Sequence, residues 1–152
     1  MASQKQLDTV YMDNAKSFAT LSNASRAKVG CVVVKNGAII SDGVNGTPTG
    51  FSNECEYTDF LGFTYTKLEV LHAEKNAIAK LACSTQSSEG ATIYVTMAPC
   101  IPCATLIIQA KIKRVVYDKV YHSSGLEYLI QAGVIVEQFY TNKQGVPISS
   151  AT

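Results

Sequence analysis

The 152-residue chain has no tryptophan, two histidines and four prolines, and only 16% of its residues are charged. Thirteen basic residues against twelve acidic ones leave a formal net charge of +1. There is no basic footprint of the kind that binds nucleic acid, and a small charged substrate held by a few local cations fits the balance better. No apolar run approaches the length of a bilayer span, and the first twenty residues are mixed polar without a signal-peptide core. The expectation is a cytoplasmic protein (host-cell cytoplasm if viral) with no membrane and no nucleic-acid partner. Five cysteines, an odd number with no secretion signal, argue against a disulfide framework. Cys31, in an apolar run, and Cys83, near a helix end, read as small hydrophobes, and Cys55 receives no role.

What is present is a core. With 47% hydrophobic residues over this length, the chain reads as a single domain over 1–152, with a loose tail at about 140–152. Leu7, Val10, Tyr11, Ala15, Phe18 and Leu21 recur at helical spacing and predict a helix over about 6–22. Val29 to Lys35 is a β-branched run, and Asn36-Gly37 before Ala38-Ile39-Ile40 signals a hairpin through a type I′ turn. Residues 43–66 are rich in Gly, Pro, Ser, Asn and Thr and read as one long functional loop. Helices are then expected at Leu68–Leu81, Cys100–Ala110 and Leu126–Ala132, with strands at Ala91–Thr96, Lys113–Tyr117 and Val134–Phe139. A hairpin followed by strand–helix–strand alternation implies an α/β fold, with a five-stranded mixed sheet between helices on both faces.

Two short runs carry the chemistry. Leu71-His72-Ala73-Glu74 reads H-x-E, and Pro99-Cys100-Ile101-Pro102-Cys103 reads P-C-x-x-C. One imidazole and two thiolates suit zinc, and three protein ligands leave the fourth tetrahedral position for water, the mark of a catalytic site. Cys100 and Cys103 share one face of a helix start, where partial positive charge favours thiolate. Pro102 is tolerated in a first helical turn. Zinc lowers the pKa of a bound water from about 15.7 to around 7. Glu74, not a ligand, is placed to take that water's proton as a general base. A redox pair would leave His72 and Glu74 idle, and a structural zinc site wants a fourth Cys or His. Only His122 remains as a second histidine, and it reads as a surface or substrate-side residue.

The paired motif is the signature of zinc-dependent nucleobase deaminases. Further stretches resemble one branch, the deoxycytidylate (dCMP) deaminase family. They are Arg26-Ala27-Lys28-Val29-Gly30, Gly43-Val44-Asn45-Gly46-Thr47-Pro48-Thr49-Gly50-Phe51, Thr66 through Ile78, Tyr94-Val95-Thr96 and Arg114-Val115-Val116-Tyr117. The resemblance implies a cytidine-deaminase-like three-layer α-β-α fold. It also implies hydrolytic deamination of dCMP to dUMP and ammonia, feeding dTMP synthesis, with one catalytic Zn²⁺ per subunit. It assigns Arg26 and Lys28 to the 5′-phosphate, Asn45 to the sugar 3′-hydroxyl, the Ala73 N–H to the base and Tyr121 to the substrate's neighbourhood. It further implies a homo-hexamer activated by dCTP and inhibited by dTTP, each with Mg²⁺. The effector would be held by Asp42, Gly43, Val44, Asn45 and Gly46, with Lys67 and Glu69 linking it to His72. Val44 stands where that family commonly has tyrosine, which leaves the effector's affinity open. A nucleoside or tRNA-base deaminase and a non-catalytic zinc-stabilised nucleotide-binding protein are the rival readings.

Overall fold

The computed structural model describes residues 1–121 and 124–140. The elements, in chain order, are α1 (Gln4–Ala19), β1 (Gly30–Lys35), β2 (Ala38–Val44), β3 (Glu56–Thr58), β4 (Thr64–Thr66), α2 (Ala73–Ala82), β5 (Thr92–Met97), α3 (Ile101–Gln109), β6 (Arg114–Lys119), α4 (Ser124–Gln131) and β7 (Ile135–Gln138). The main sheet runs β2-β1-β5-β6-β7. Its first three strands pair antiparallel, and β5-β6-β7 are parallel. The sheet is therefore mixed, as expected from the order of elements.

Alternation of side chains across the pleat builds two cores. Val32, Val34, Tyr94 and Val116 face Met12 and Ala15 of α1. Cys31, Val33, Ile93, Val95 and Val115 face α2, α3 and α4 through Ala73, Ala77, Ala104, Ile107, Leu126 and Leu129. One helix covers one face and three cover the other, which gives the three layers. The helix α1 starts at a capping box, in which Ser3 Oγ accepts from Gln6 N–H and Gln6 Oε1 accepts from Ser3 N–H. The predicted I′ turn forms, with Asn36 at φ 51° and Gly37 at φ 75°.

Three expectations need correction. The predicted 43–66 loop is interrupted by a second, two-stranded sheet in which Glu56, Tyr57 and Thr58 pair antiparallel with Thr66, Tyr65 and Thr64. Its turn is closed by Asp59 Oδ1, which accepts from Leu61 and Phe63 N–H at 2.9 Å. The catalytic helix begins at Ala73, not Leu68, because Leu71 is drawn into an antiparallel bridge with Gly46. Finally, β2 continues through Asp42 and Gly43 to Val44, so these three are strand residues. The tail expected at 140–152 lies beyond the described residues after Tyr140, and His122 lies outside them too.

Candidate active site

Two helix starts converge. His72 is the N-cap residue of α2, and Cys100 is the N-cap residue of α3, each extended and neither capping its helix through its side chain. Pro102 sits in the first turn of α3, where the missing N–H removes a group that has no intrahelical partner. Cys103 follows one residue later, buried. His72 Nδ1 lies 3.4 Å from Cys100 Sγ and 3.3 Å from Cys103 Sγ. Tetrahedral zinc, with Zn–N about 2.0–2.1 Å and Zn–S about 2.3 Å, needs N and S roughly 3.5 Å apart. The three donor atoms all lie within 4.8 Å of one another, so the set fits one zinc ion.

The electrostatics agree with a ligand cluster. Hydrogen bonds from Cys103 and His72 lower the Cys100 thiol to about 4, against burial. Cys103 is pushed up by its bond to Cys100 and by burial. His72 is raised, chiefly through its bond to Cys100. Thiolate character thus concentrates on Cys100, and metal binding would draw protons from the rest of the set. Glu74, in the first turn of α2, is 3% exposed, and burial raises its pKa. A carboxyl whose pKa is raised by burial is better suited to hold and release a proton than an exposed one.

His72, Glu74 and Cys100 line a cavity of about 320 Å³, and so do Arg26, Asn45, Ala73 and Tyr121. Lys28 is exposed and does not line it. The Asn45 amide is already engaged, its Oδ1 accepting from Val29 N–H and its Nδ2 donating to Ala27 O, both at 2.8 Å. One further N–H and one lone pair remain for a ligand. Of the residues read as effector contacts, Asp42 pairs with Lys80 at 2.6 Å and Lys67 lies 3.8 Å from Glu54. Glu69 is exposed. At Gly43 an added Cβ would meet Ala73 O at 2.0 Å, so the missing side chain lets α2 pack on β2. Sequence reading missed Glu56 and Thr66, which also line the cavity from β3 and β4. The available signal was the repeat of Tyr between Thr or Glu on either side of an Asp-Phe-Leu-Gly turn.

A His-Cys-Cys set with a buried, non-ligating glutamate beside it defines the zinc-dependent deaminase class. Within that class the chain belongs to the cytidine and deoxycytidylate deaminase zinc-binding family, whose family model matches residues 5–119. It is 34% identical over 141 residues to the deoxycytidylate deaminase of Saccharomyces cerevisiae, covering 87% of this chain and 44% of that protein. The chain thus spans about half the length of its yeast relatives. The deoxycytidylate deaminase of Mycobacterium phage D29 is 35% identical over 127 residues, covering 77% of this chain and 98% of the phage protein. Among solved structures, the dCMP deaminase of cyanophage S-TIM5 in complex with dCMP and dUMP is 42% identical with a TM-score of 0.84. That match covers 90% of this chain and 99% of the phage chain.

Proposed function

We propose that the chain hydrolyses dCMP to dUMP and ammonia. The observation that carries the reading is one cavity lined by the buried Glu74, two of the three zinc-type donors and the cation Arg26. The comparisons support it, since relatives at comparable length are named for this activity and the phage structure holds dCMP and dUMP. Bound zinc supplies a nucleophilic water at neutral pH. The residues of this chain do the rest. Glu74 takes one proton of the attacking water to the ring nitrogen and then carries the second, from the hydroxyl now on the ring carbon, to the amine; the carbonyl forms as the C–N bond breaks and ammonia leaves. The Ala73 N–H and the free capacity of Asn45 orient base and sugar, and Arg26 takes the 5′-phosphate. Lys28 contributes only long-range charge.

The test is ultraviolet-monitored turnover of dCMP and of deoxycytidine by zinc-loaded protein. Preference for dCMP supports the reading. Equal or better use of deoxycytidine replaces it with a nucleoside deaminase.

Regulation by dCTP and dTTP with Mg²⁺, in a homo-hexamer, belongs to the same proposal, as do a cytoplasmic setting and supply of dTMP synthesis. One set of contacts favours a coupled segment at 42–46. Asn76 Nδ2 donates to Val44 O at 2.6 Å, and Gly46 and Leu71 exchange backbone hydrogen bonds at 3.0 and 2.8 Å. An effector on that segment would pull directly on the residue before His72. Turnover raised by dCTP–Mg²⁺ and suppressed by dTTP–Mg²⁺ is the expected result, and indifference to both removes the regulatory part alone.

A further inference from the structure

The segment 24–29 contributes Ala24, Arg26, Ala27 and Val29 to the cavity, yet it belongs to no helix or strand. Its backbone groups therefore need partners from elsewhere. Side chains supply them from two directions. Asn45, at the end of β2, bonds Ala27 O and Val29 N–H. From the other direction Glu56 of β3 reaches across, and its Oε1 accepts from Ser25 N–H at 2.9 Å and from Arg26 N–H at 3.2 Å.

Glu56 is itself fixed. The preceding residue, Cys55, is 1% exposed, and its carbonyl accepts from Lys67 N–H at 2.8 Å, closing the base of the β3–β4 ribbon. The buried cysteine is thus an anchor that sets where the glutamate stands. Burial pushes the Glu56 carboxyl up, but the Arg26 and Ser25 N–H groups outweigh it and hold it below the usual carboxylate range, so it remains an acceptor at neutral pH. Glu56 spends its hydrogen bonds on the backbone of Ser25 and Arg26, and the Arg26 charge reaches it only at longer range. No ion pair of Arg26 occurs among the described residues, so the guanidinium stays available to an anion in the cavity.

Resting on the reading of dCMP as substrate, we infer that Glu56 is a positioning residue for phosphate recognition, acting through Arg26. The ribbon it stands on is then part of the specificity apparatus and not a surface ornament. Its contribution appears in the preference for a substrate bearing a 5′-phosphate over the same nucleoside without one.

The experiment compares wild type, Glu56→Ala, Glu56→Gln and Arg26→Ala, zinc-loaded, on dCMP and deoxycytidine. Removal of a charge-assisted pair of hydrogen bonds should lower the dCMP-over-deoxycytidine ratio of kcat/KM about tenfold in Glu56→Ala, mostly through KM for dCMP. Glu56→Gln keeps an oxygen acceptor and should recover most of the ratio. A purely structural glutamate would depress both substrates alike, leaving the ratio intact, and that overturns the inference. So does a fall in KM for dCMP, which would mean the carboxylate competes with the phosphate. If Arg26→Ala loses the preference while Glu56→Ala keeps it, the inference fails and the substrate reading stands. If wild type shows no preference and Arg26→Ala changes nothing, the substrate reading fails and takes the inference with it.

Discussion

Glu74 and Cys103 stand side by side at the same site but differ in what they are asked to do. Glu74 lies outside the donor set of His72, Cys100 and Cys103. Glu74→Gln should therefore retain one zinc per chain while turnover falls by about 10²–10⁴. Zinc content by mass spectrometry alongside the dCMP assay checks both halves. Cys103→Ala removes a donor, and the expected outcome is loss of metal and activity together. These two motifs were legible in the sequence because each is a local pair, His72 with Glu74 and Cys100 with Cys103. Glu56 was not, since its partners Ser25 and Arg26 are 31 and 30 residues away and nothing in its own neighbourhood announces them. Asn45 was legible as an amide near the site, but its prior engagement with Ala27 and Val29 is a three-dimensional fact.

At the scale of elements, the position of the catalytic helix depends on a glycine in a different element. A methyl at residue 43 would overlap Ala73 O and approach Ala77 N to 2.8 Å, both backbone atoms of α2 that no side-chain rotation can move aside. Gly43→Ala should cost about 1–3 kcal/mol of stability and weaken zinc binding, since Ala73 follows His72 directly. Denaturant melts and competitive zinc titration measure the two effects. The same long-range contact explains where reading from sequence fell short. Leu68, Leu71 and the residues after Ala73 carry helical spacing, but the Gly46–Leu71 bridge holds the preceding chain extended. Such a bridge is invisible to a local window. The Asn36-Gly37 hairpin and the strand–helix alternation needed only local chemistry, and both form where the residues place them. The β3–β4 ribbon was hidden because its three-residue strands lie among turn formers.

For the whole molecule, the two faces of the sheet have different duties. The three helices that hold or back the site share one face, and α1 covers the other through Met12 and Ala15. That second face is tied by Arg114, which gives two parallel hydrogen bonds to Asp8 at 2.9 and 2.7 Å and a third to Glu137 at 3.0 Å. Tyr94 Oη adds a 2.6 Å bond to the same carboxylate. Burial pushes the Asp8 carboxyl up, and the bonds from Arg114, Tyr94 and Gln4 outweigh it, so its pKa lies below the ordinary carboxylate value. A depressed folded pKa contributes stability that is fully present above the unfolded value of about 3.9 and is lost as pH falls through the folded one. Asp8→Asn should lower stability by about 1.5–3 kcal/mol at pH 7, because it leaves a largely buried guanidinium with Glu137 as its remaining carboxylate partner. The deficit should shrink in acid below about pH 4, where wild type loses the same pair. Thermal melts of both proteins between pH 3 and 7 read this directly.

The β1–β2 hairpin is gripped on both sides at neighbouring points. Gly30 sits under α1, where an added Cβ would meet Ala15 O at 2.2 Å, and Gly43, opposite Cys31 in the register, sits under α2. Helix backbone thus presses on the strands from above and below with no side chain between. In a saturation library scored for folded protein, positions 30 and 43 should be strongly depleted of every residue but glycine. Position 46, where an added Cβ meets nothing within 4 Å, should admit many residues. Amides of β1 from Cys31 to Val34, buried and paired on both sides beside the gripped points, should be among the last in the molecule to exchange with deuterated solvent, which would make this strand the slowest clock in the fold.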